Sequence, residues 1–253
     1  MATIKERAYA GERLFGTMVC LFDVPDIARM LQVCGFDFFV LDMEHGYCDD
    51  SRIAAMLLVA KMAGIPAIVR AARPQREIIM KYMEMGAAGI LLPNTETIED
   101  ARKLVEFSKY APQGNRGVAL LKAHAGYDAG SAVPYMEKAN QETILMVQIE
   151  SPTGVHNIDE ILSVDGIDCA FIGPNDLSQT YGIMGQFENP MLHEAIETVI
   201  ASAKRCGKFC GIHIGGVERV KHWMENGMNF NLFGADTVFM MNAARDAVKQ
   251  LKD

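Results

Sequence analysis

Hydrophobic residues gather in eight short runs along the chain, at 14–20, 36–41, 66–70, 89–92, 144–149, 168–172, 209–214 and 229–233. The runs are continuous rather than alternating, as expected of strands in a parallel sheet covered on both faces. Between most of them lie stretches with apolar residues at helical spacing: 51–63, 75–85, 96–110, 155–163, 191–206 and 217–226. Gly35, Gly64, Gly86 and Gly207 stand where helix C-caps would need a left-handed residue. Strand–helix alternation repeated this often predicts an α/β fold closed into a (β/α)8 TIM barrel rather than an open doubly wound sheet. The section 111–140 is long for a loop and predicts an additional helix over one barrel face.

A length of 253 residues suits one complete barrel, so 1–253 reads as a single domain. Half the residues are hydrophobic and 22% are charged, enough to bury a sizeable core. A formal net charge of −8 argues against a nucleic-acid partner and against an anionic membrane surface. No apolar run approaches the ~18 residues of a membrane span, and the N-terminus has no signal-peptide h-region. A cytoplasmic protein is therefore expected. The six cysteines form no C-x-x-C pair and are expected as reduced thiols. Met30, Met56, Met62, Met80 and Met83 fall in the helical stretches and read as core filler.

In such barrels the residues just after each strand collect at one rim. The second run leads into Asp42, Glu44 and His45, and the third ends at Arg70. The fifth leads to Gln148 and Glu150, and the sixth into Gly173, Pro174, Asn175 and Asp176. Charges gathered in a concave rim are costly unless paired with each other or with a metal. Glu150 and Asp176, from adjacent strand ends, offer hard oxygen ligands for a divalent cation. Two carboxylates equally suit the acid and base of a glycosidase, or one N-cap and one salt bridge. His45, beside two acids, suits a general base or a structural ring. Arg70 suits a carboxylate clamp, an oxyanion stabiliser, or an ion pair with Asp42 or Glu44. His213 lies near the end of the seventh run. His124, His156, His193 and His222 have no comparable setting.

Several chemistries lack their residues. No lysine stands at a strand end to form a Schiff base, and neither a phosphate-binding G-x-x-x-x-G-K-[ST] loop nor a G-x-S-x-G elbow is present. No lysine/arginine cluster at the strand ends suggests a groove for the phosphates of coenzyme A. The segment from Pro112 to Gly117 is a glycine-rich loop that follows a helix rather than a strand, which does not suit a nucleotide.

Several blocks carry a resemblance. They are Gly35-Phe36-Asp37-Phe38 with Asp42, Glu44-His45-Gly46 and Val69-Arg70; Gly86-Ala87 with Ile90 and Pro93; Tyr110-Ala111-Pro112-Gln113-Gly114-Asn115-Arg116-Gly117; Gln148-Ile149-Glu150; and Phe171-Ile172-Gly173-Pro174-Asn175-Asp176-Leu177-Ser178. In this order and spacing the chain resembles the HpcH/HpaI family of metal-dependent (class II) pyruvate aldolases over nearly its full length. That resemblance implies a carbon–carbon lyase of the 2-dehydro-3-deoxyglucarate or 4-hydroxy-2-oxoheptanedioate aldolase type. It would cleave or form a 4-hydroxy-2-oxoacid, giving pyruvate and an aldehyde through a metal-bound pyruvate enolate. It further implies that Glu150 and Asp176 hold Mg²⁺, Mn²⁺ or Co²⁺ and that Gln148, Gly173, Pro174, Asn175 and Arg70 seat the substrate. Arg70 would stabilise the enolate oxygen, and His45, supported by Asp42, would move the proton. Homo-oligomers, a hexamer or trimer of dimers with an exchanged C-terminal helix at 242–251, are implied as well. Oxaloacetate decarboxylation and acyl-CoA cleavage use the same enolate and stand as alternatives; a non-catalytic barrel ranks below them. Met18, where many relatives carry an aromatic residue, and the unusual segment 121–133 leave the aldehyde open.

Overall fold

The eight apolar runs become eight parallel strands: β1 (Leu14–Val19), β2 (Phe38–Asp42), β3 (Ala67–Arg70), β4 (Gly89–Leu92), β5 (Ile144–Ile149), β6 (Cys169–Ile172), β7 (Phe209–Ile212) and β8 (Phe230–Ala235). They are seen in a computed structural model that describes residues 2–252. The helices are α1 (Ile4–Tyr9), α2 (Ile27–Val33), α3 (Asp50–Ala63), α4 (Arg76–Met85), α5 (Ile98–Ser108), α6 (Ala132–Glu142), α7 (Pro152–His156), α8 (Ile158–Leu162), α9 (Pro174–Thr180), α10 (Pro190–Arg205), α11 (Val217–Glu225) and α12 (Asp236–Lys252). The helix expected at 155–163 is instead two, divided at Asn157. The additional helix expected within 111–140 is α6. Helix α12 begins well before position 242, directly from β8. Thr97 and Asp100 form a capping box on α5, and Gly64 and Gly86 end α3 and α4 in the left-handed conformation.

The strands pair in the order β7-β6-β5-β4-β3-β2-β1-β8. Every sequential neighbour from β1 to β7 is adjacent in the sheet, and Leu14 pairs with Phe230 to join the first strand to the last. The remaining seam, between β7 and β8, is lightly stitched. It has a lone bridge from His213 to Leu232. The Asn229 N–H donates to the Cys210 carbonyl at 3.0 Å, and the Ile212 N–H to Asn231 Oδ1 at 3.3 Å. The sheet is thus a nearly closed barrel.

Side chains alternate across each strand. Phe39, Leu41, Val69, Ile90, Leu145, Val147 and Ile172 point outward into the layer beneath the helices. Phe38, Val40, Ile68, Leu91, Ile144, Met146, Phe171 and Phe230 fill the barrel, where Phe38 stacks on Phe230 with centroids 4.1 Å apart. Met56 and Met83 belong to the outer core. Met30 and Met62, read from periodicity as core, are exposed instead, because α2 and α3 turn those positions to the surface. All six cysteines are unpaired, and Cys48, Cys169 and Cys210 are buried.

Helix α1 closes the lower end of the barrel, where the strands begin. Ile4 and Ala8 are buried, and the Tyr9 ring meets Phe209 edge-on at 5.1 Å. A polar network surrounds this plug. Asp168, 3% exposed, pairs with Lys5 at 2.8 Å. It also accepts the Tyr9 hydroxyl and the Leu145 N–H, each at 2.9 Å. Lys109, 1% exposed, donates to the carbonyls of Asn140 and Thr143. Burial and the neighbouring Lys5 pull its amine down to about 7.

Candidate active site

The alternation that fills the barrel also supplies its upper mouth. Asp42 continues the inward series of Phe38 and Val40, Arg70 continues that of Ile68, and Gln148 and Glu150 continue that of Ile144 and Met146. Four polar side chains therefore reach the top of the interior with no departure from strand geometry. All four are buried.

Asp42 and Arg70 form the first cluster. Arg70 Nε and Nη2 donate to the two Asp42 oxygens at 2.9 and 2.7 Å, a planar fork-to-fork pair. Arg70 Nη1 also lies 3.2 Å from Glu44. Burial alone would raise the Asp42 carboxyl, but Arg70 and the backbone N–H groups of Glu44 and His45 hold it below the usual carboxylate range. Asp42 thus receives the backbone of His45 at 3.3 Å rather than its ring. The ring is 68% exposed and lies 3.9 Å from Glu44. The ion pair weighed for Arg70 from sequence is present, and Glu44 ties His45 to the same cluster.

Glu150 is the centre of the second cluster. One oxygen accepts the Gln148 amide at 2.5 Å, and the other accepts the Asn94 N–H at 2.6 Å. Burial, together with the nearby carboxylates of Glu44 and Asp176, pushes Glu150 up to about 7. Asp176 is exposed in the first turn of α9. Gly173 is the N-cap of that helix, and no side chain caps it, so Asp176 is not a capping residue. Among the described residues its carboxylate enters no hydrogen bond or ion pair. Pro174 and Asn175 stand in the same turn, the first buried and the second exposed. Gly173 leaves room for this cluster, because a Cβ there would run into the Glu150 carboxylate and the Gln148 amide and displace them.

Asn94 was not singled out from sequence. Its backbone is left-handed, with φ of 48°, a conformation asparagine tolerates better than most residues. That turn aims its N–H at Glu150 and its side-chain amide at Glu44, 3.2 Å away. The only sequence signal was an Asn directly after the Pro93 that ends the β4 segment. His213 approaches Arg70 and Asp42 but is spoken for: its Nε2 donates to the Gly234 carbonyl at 2.8 Å, and burial and Arg70 lower its pKa, so the neutral ring stitches the β7–β8 seam.

The arrangement has one excess and one deficit. Glu44, Glu150 and Asp176 crowd negative charge together, while Gln148 Oε1 is buried without a donor. A divalent cation answers both, since it prefers carboxylate and carbonyl oxygens and tolerates water in its remaining positions. Among the described residues no three Asp, Glu, His or Cys side chains close on one point. A cation here would be held by two carboxylates, with water or substrate completing its shell.

The profile of a family described as HpcH/HpaI aldolase/citrate lyase matches residues 19–243. A hydroxypyruvate/pyruvate aldolase from Deinococcus radiodurans is 34% identical over 252 residues, covering 99% of this chain and 90% of the relative. A 5-keto-4-deoxy-D-glucarate aldolase from Klebsiella pneumoniae is 32% identical over 92% of this chain and 89% of its own length. The crystal structure of an HpcH/HpaI aldolase from Desulfitobacterium hafniense superimposes with a TM-score of 0.96 at 31% identity, covering 100% of this chain and 98% of that one.

Proposed function

This chain belongs to the HpcH/HpaI aldolase/citrate lyase family and is a carbon–carbon lyase, and we propose that it cleaves, and in reverse forms, a 4-hydroxy-2-oxoacid whose products are pyruvate and an aldehyde. The observation that carries this reading is the Glu150 cluster: a buried carboxylate beside a Gln148 carbonyl oxygen that lacks a donor, crowded by two further carboxylates at the barrel mouth. Glu150 and Asp176 are the ligands for Mg²⁺, Mn²⁺ or Co²⁺. Bound there, the cation would supply electrophilic stabilisation to a 2-oxoacid.

The chain's own groups do the rest. Arg70 is held flat by Asp42, so its remaining N–H donors face a developing oxyanion without having to reorganise. His45 stands exposed at the mouth, where a substrate hydroxyl can reach it. In cleavage it takes the proton from that hydroxyl, and in synthesis it returns it to the aldehyde oxygen. Gln148 and the Gly173–Asn175 turn seat the 2-oxoacid. The names of the relatives favour hydroxypyruvate-derived and sugar-acid substrates. No helix among the described residues is long and apolar enough to cross a membrane. Helix α12 exposes Val238, Met240, Met241, Val248 and Leu251, which we read as the face that packs on another copy in a homo-oligomer.

The test is pyruvate release from a panel containing 5-keto-4-deoxy-D-glucarate, other 4-hydroxy-2-oxoacids and oxaloacetate, before and after EDTA, with each cation restored in turn. Release should vanish with EDTA and return with metal; indifference to EDTA would remove the cation from the reading. His45→Ala should slow aldol cleavage about a hundredfold or more while sparing oxaloacetate decarboxylation, which needs no such proton transfer. Equal losses in both would demote His45 to positioning.

A further inference from the structure

Arg116 lies far from the mouth. It belongs to the glycine-rich segment after α5, and its side chain, 6% exposed, lines a cavity of about 380 Å³. The cavity is bounded by residues that precede strands: Ile65 to Ala67 before and at the start of β3, Gly86 to Ala88 before β4, and Glu142 and Thr143 before β5. It therefore opens on the lower face, with about 20 Å of β5 between Thr143 and Glu150.

The guanidinium is buried without being satisfied. Its carbon sits 4.6 Å from the centroid of the Tyr110 ring, yet among the described residues Nε and Nη2 have no hydrogen-bond partner. Among the described residues no carboxylate comes within ion-pair distance of it. Its charged neighbours are committed elsewhere: Glu84 to Lys122 at 2.6 Å, Glu142 to Lys138 at 3.7 Å, and Lys61 to the carbonyls of Ala123 and His124. His124 is held neutral by burial and bonds Tyr110 and the Glu84 carbonyl. Arginine cannot shed its charge, and an unpaired buried charge is strongly destabilising. The vacant donors form a fork whose geometry matches a carboxylate.

We propose that this lower-face cavity is a second ligand site, taking a small monocarboxylate with an apolar body. The anion would sit on Arg116 and the body against Leu57, Ile65, Met83 and Ala139, which line the same space. A phosphate, with its higher charge, would find vacant donors only on Arg116, since Lys61, which lines the same space, already donates to two carbonyls.

The experiment is calorimetric titration of the full-length chain with benzoate, with inorganic phosphate as control. Benzoate should bind saturably, one per chain, and phosphate at least about tenfold more weakly. Arg116→Gln should weaken benzoate by about tenfold or more, the worth of a charge-assisted hydrogen bond. Ala139→Met should weaken it comparably by filling the cavity while leaving Arg116 on Tyr110, which keeps the test decisive if Arg116→Gln fails to fold. Both variants should release pyruvate at the wild-type rate. Absence of saturable binding, or binding of equal strength in wild type and Ala139→Met, would overturn the site. Equal affinity for phosphate would overturn its assignment to carboxylates.

Discussion

The two ends of this barrel bury charge in different ways. At the lower end, Asp168 has partners for both oxygens in Lys5, Tyr9 and the Leu145 N–H, and Lys109 finds two carbonyls. At the upper end, Asp42 is satisfied by Arg70 in the same way, yet three strands along the sheet Glu150 faces other carboxylates and Gln148 keeps a bare carbonyl. A saturated network costs little to keep and serves the scaffold. An unsaturated one is costly unless something arrives to complete it. Burial alone does not separate the two ends; Asp168 faces a lysine, whereas Glu150 faces further carboxylates beside an undonated Gln148 oxygen. Arg116 follows the same rule, an unsaturated charge on the face where Asp168 and Lys109 are saturated.

Glu150→Gln tests the contrast most severely. Turnover should fall at least about a thousandfold, while the melting temperature holds or rises because one crowded carboxylate is neutralised. A variant that unfolds would place Glu150 with the scaffold instead. Arg70→Lys should cost about a hundredfold in kcat/KM. It should also lower unfolding stability by about 3 kcal/mol, since Asp42 loses a bidentate partner in a buried place; chemical denaturation reads that second effect.

Asp168→Asn is the mirror experiment. Stability should drop by about 3 kcal/mol as the buried pair with Lys5 is broken, and steady-state turnover should stay within about twofold. A selective loss of activity would erase the distinction between the ends. The smallest effect concerns Lys109. Its folded pKa, near 7, lies below that of the unfolded chain, so at alkaline pH the unfolded state binds the extra proton and stability rises with pH. Relative to Lys109→Met, the wild-type chain should gain about 1 kcal/mol of unfolding free energy per pH unit between about pH 8 and about pH 10, where the unfolded lysine in turn loses its proton. A pH-independent difference between the two would show the amine charged in the folded state.

Much of this was legible in the sequence for a physical reason. Strands covered on both faces must be apolar throughout, so the runs announced β1 to β8, and Asp42, Arg70, Gln148 and Glu150 were visible as the first polar residues where those runs end. The end of β2 moved by one residue because Asp42 still pairs with Arg70 within the ladder. Helix α1 escaped notice because only Ile4 and Ala8 of its six residues are buried, too few to make a periodic stripe. Asn94 escaped because its role depends on one left-handed turn. Arg116 escaped because a glycine-rich loop suggests backbone contacts, whereas its side chain is buried over the Tyr110 ring. The single helix expected at 155–163 failed at Asn157, where the backbone leaves helical geometry between two short turns.

The pairing of Leu14 with Phe230 has a consequence for how the chain is made. During synthesis β1 emerges almost at once, finds β2 on one side, and then carries an open hydrogen-bonding edge until nearly the whole polypeptide has followed. Such an edge invites pairing with other nascent chains. A ribosome stalled anywhere short of β8 would therefore release a fragment primed to aggregate, and rapid elongation or chaperone cover would matter more here than in a fold whose ends never meet.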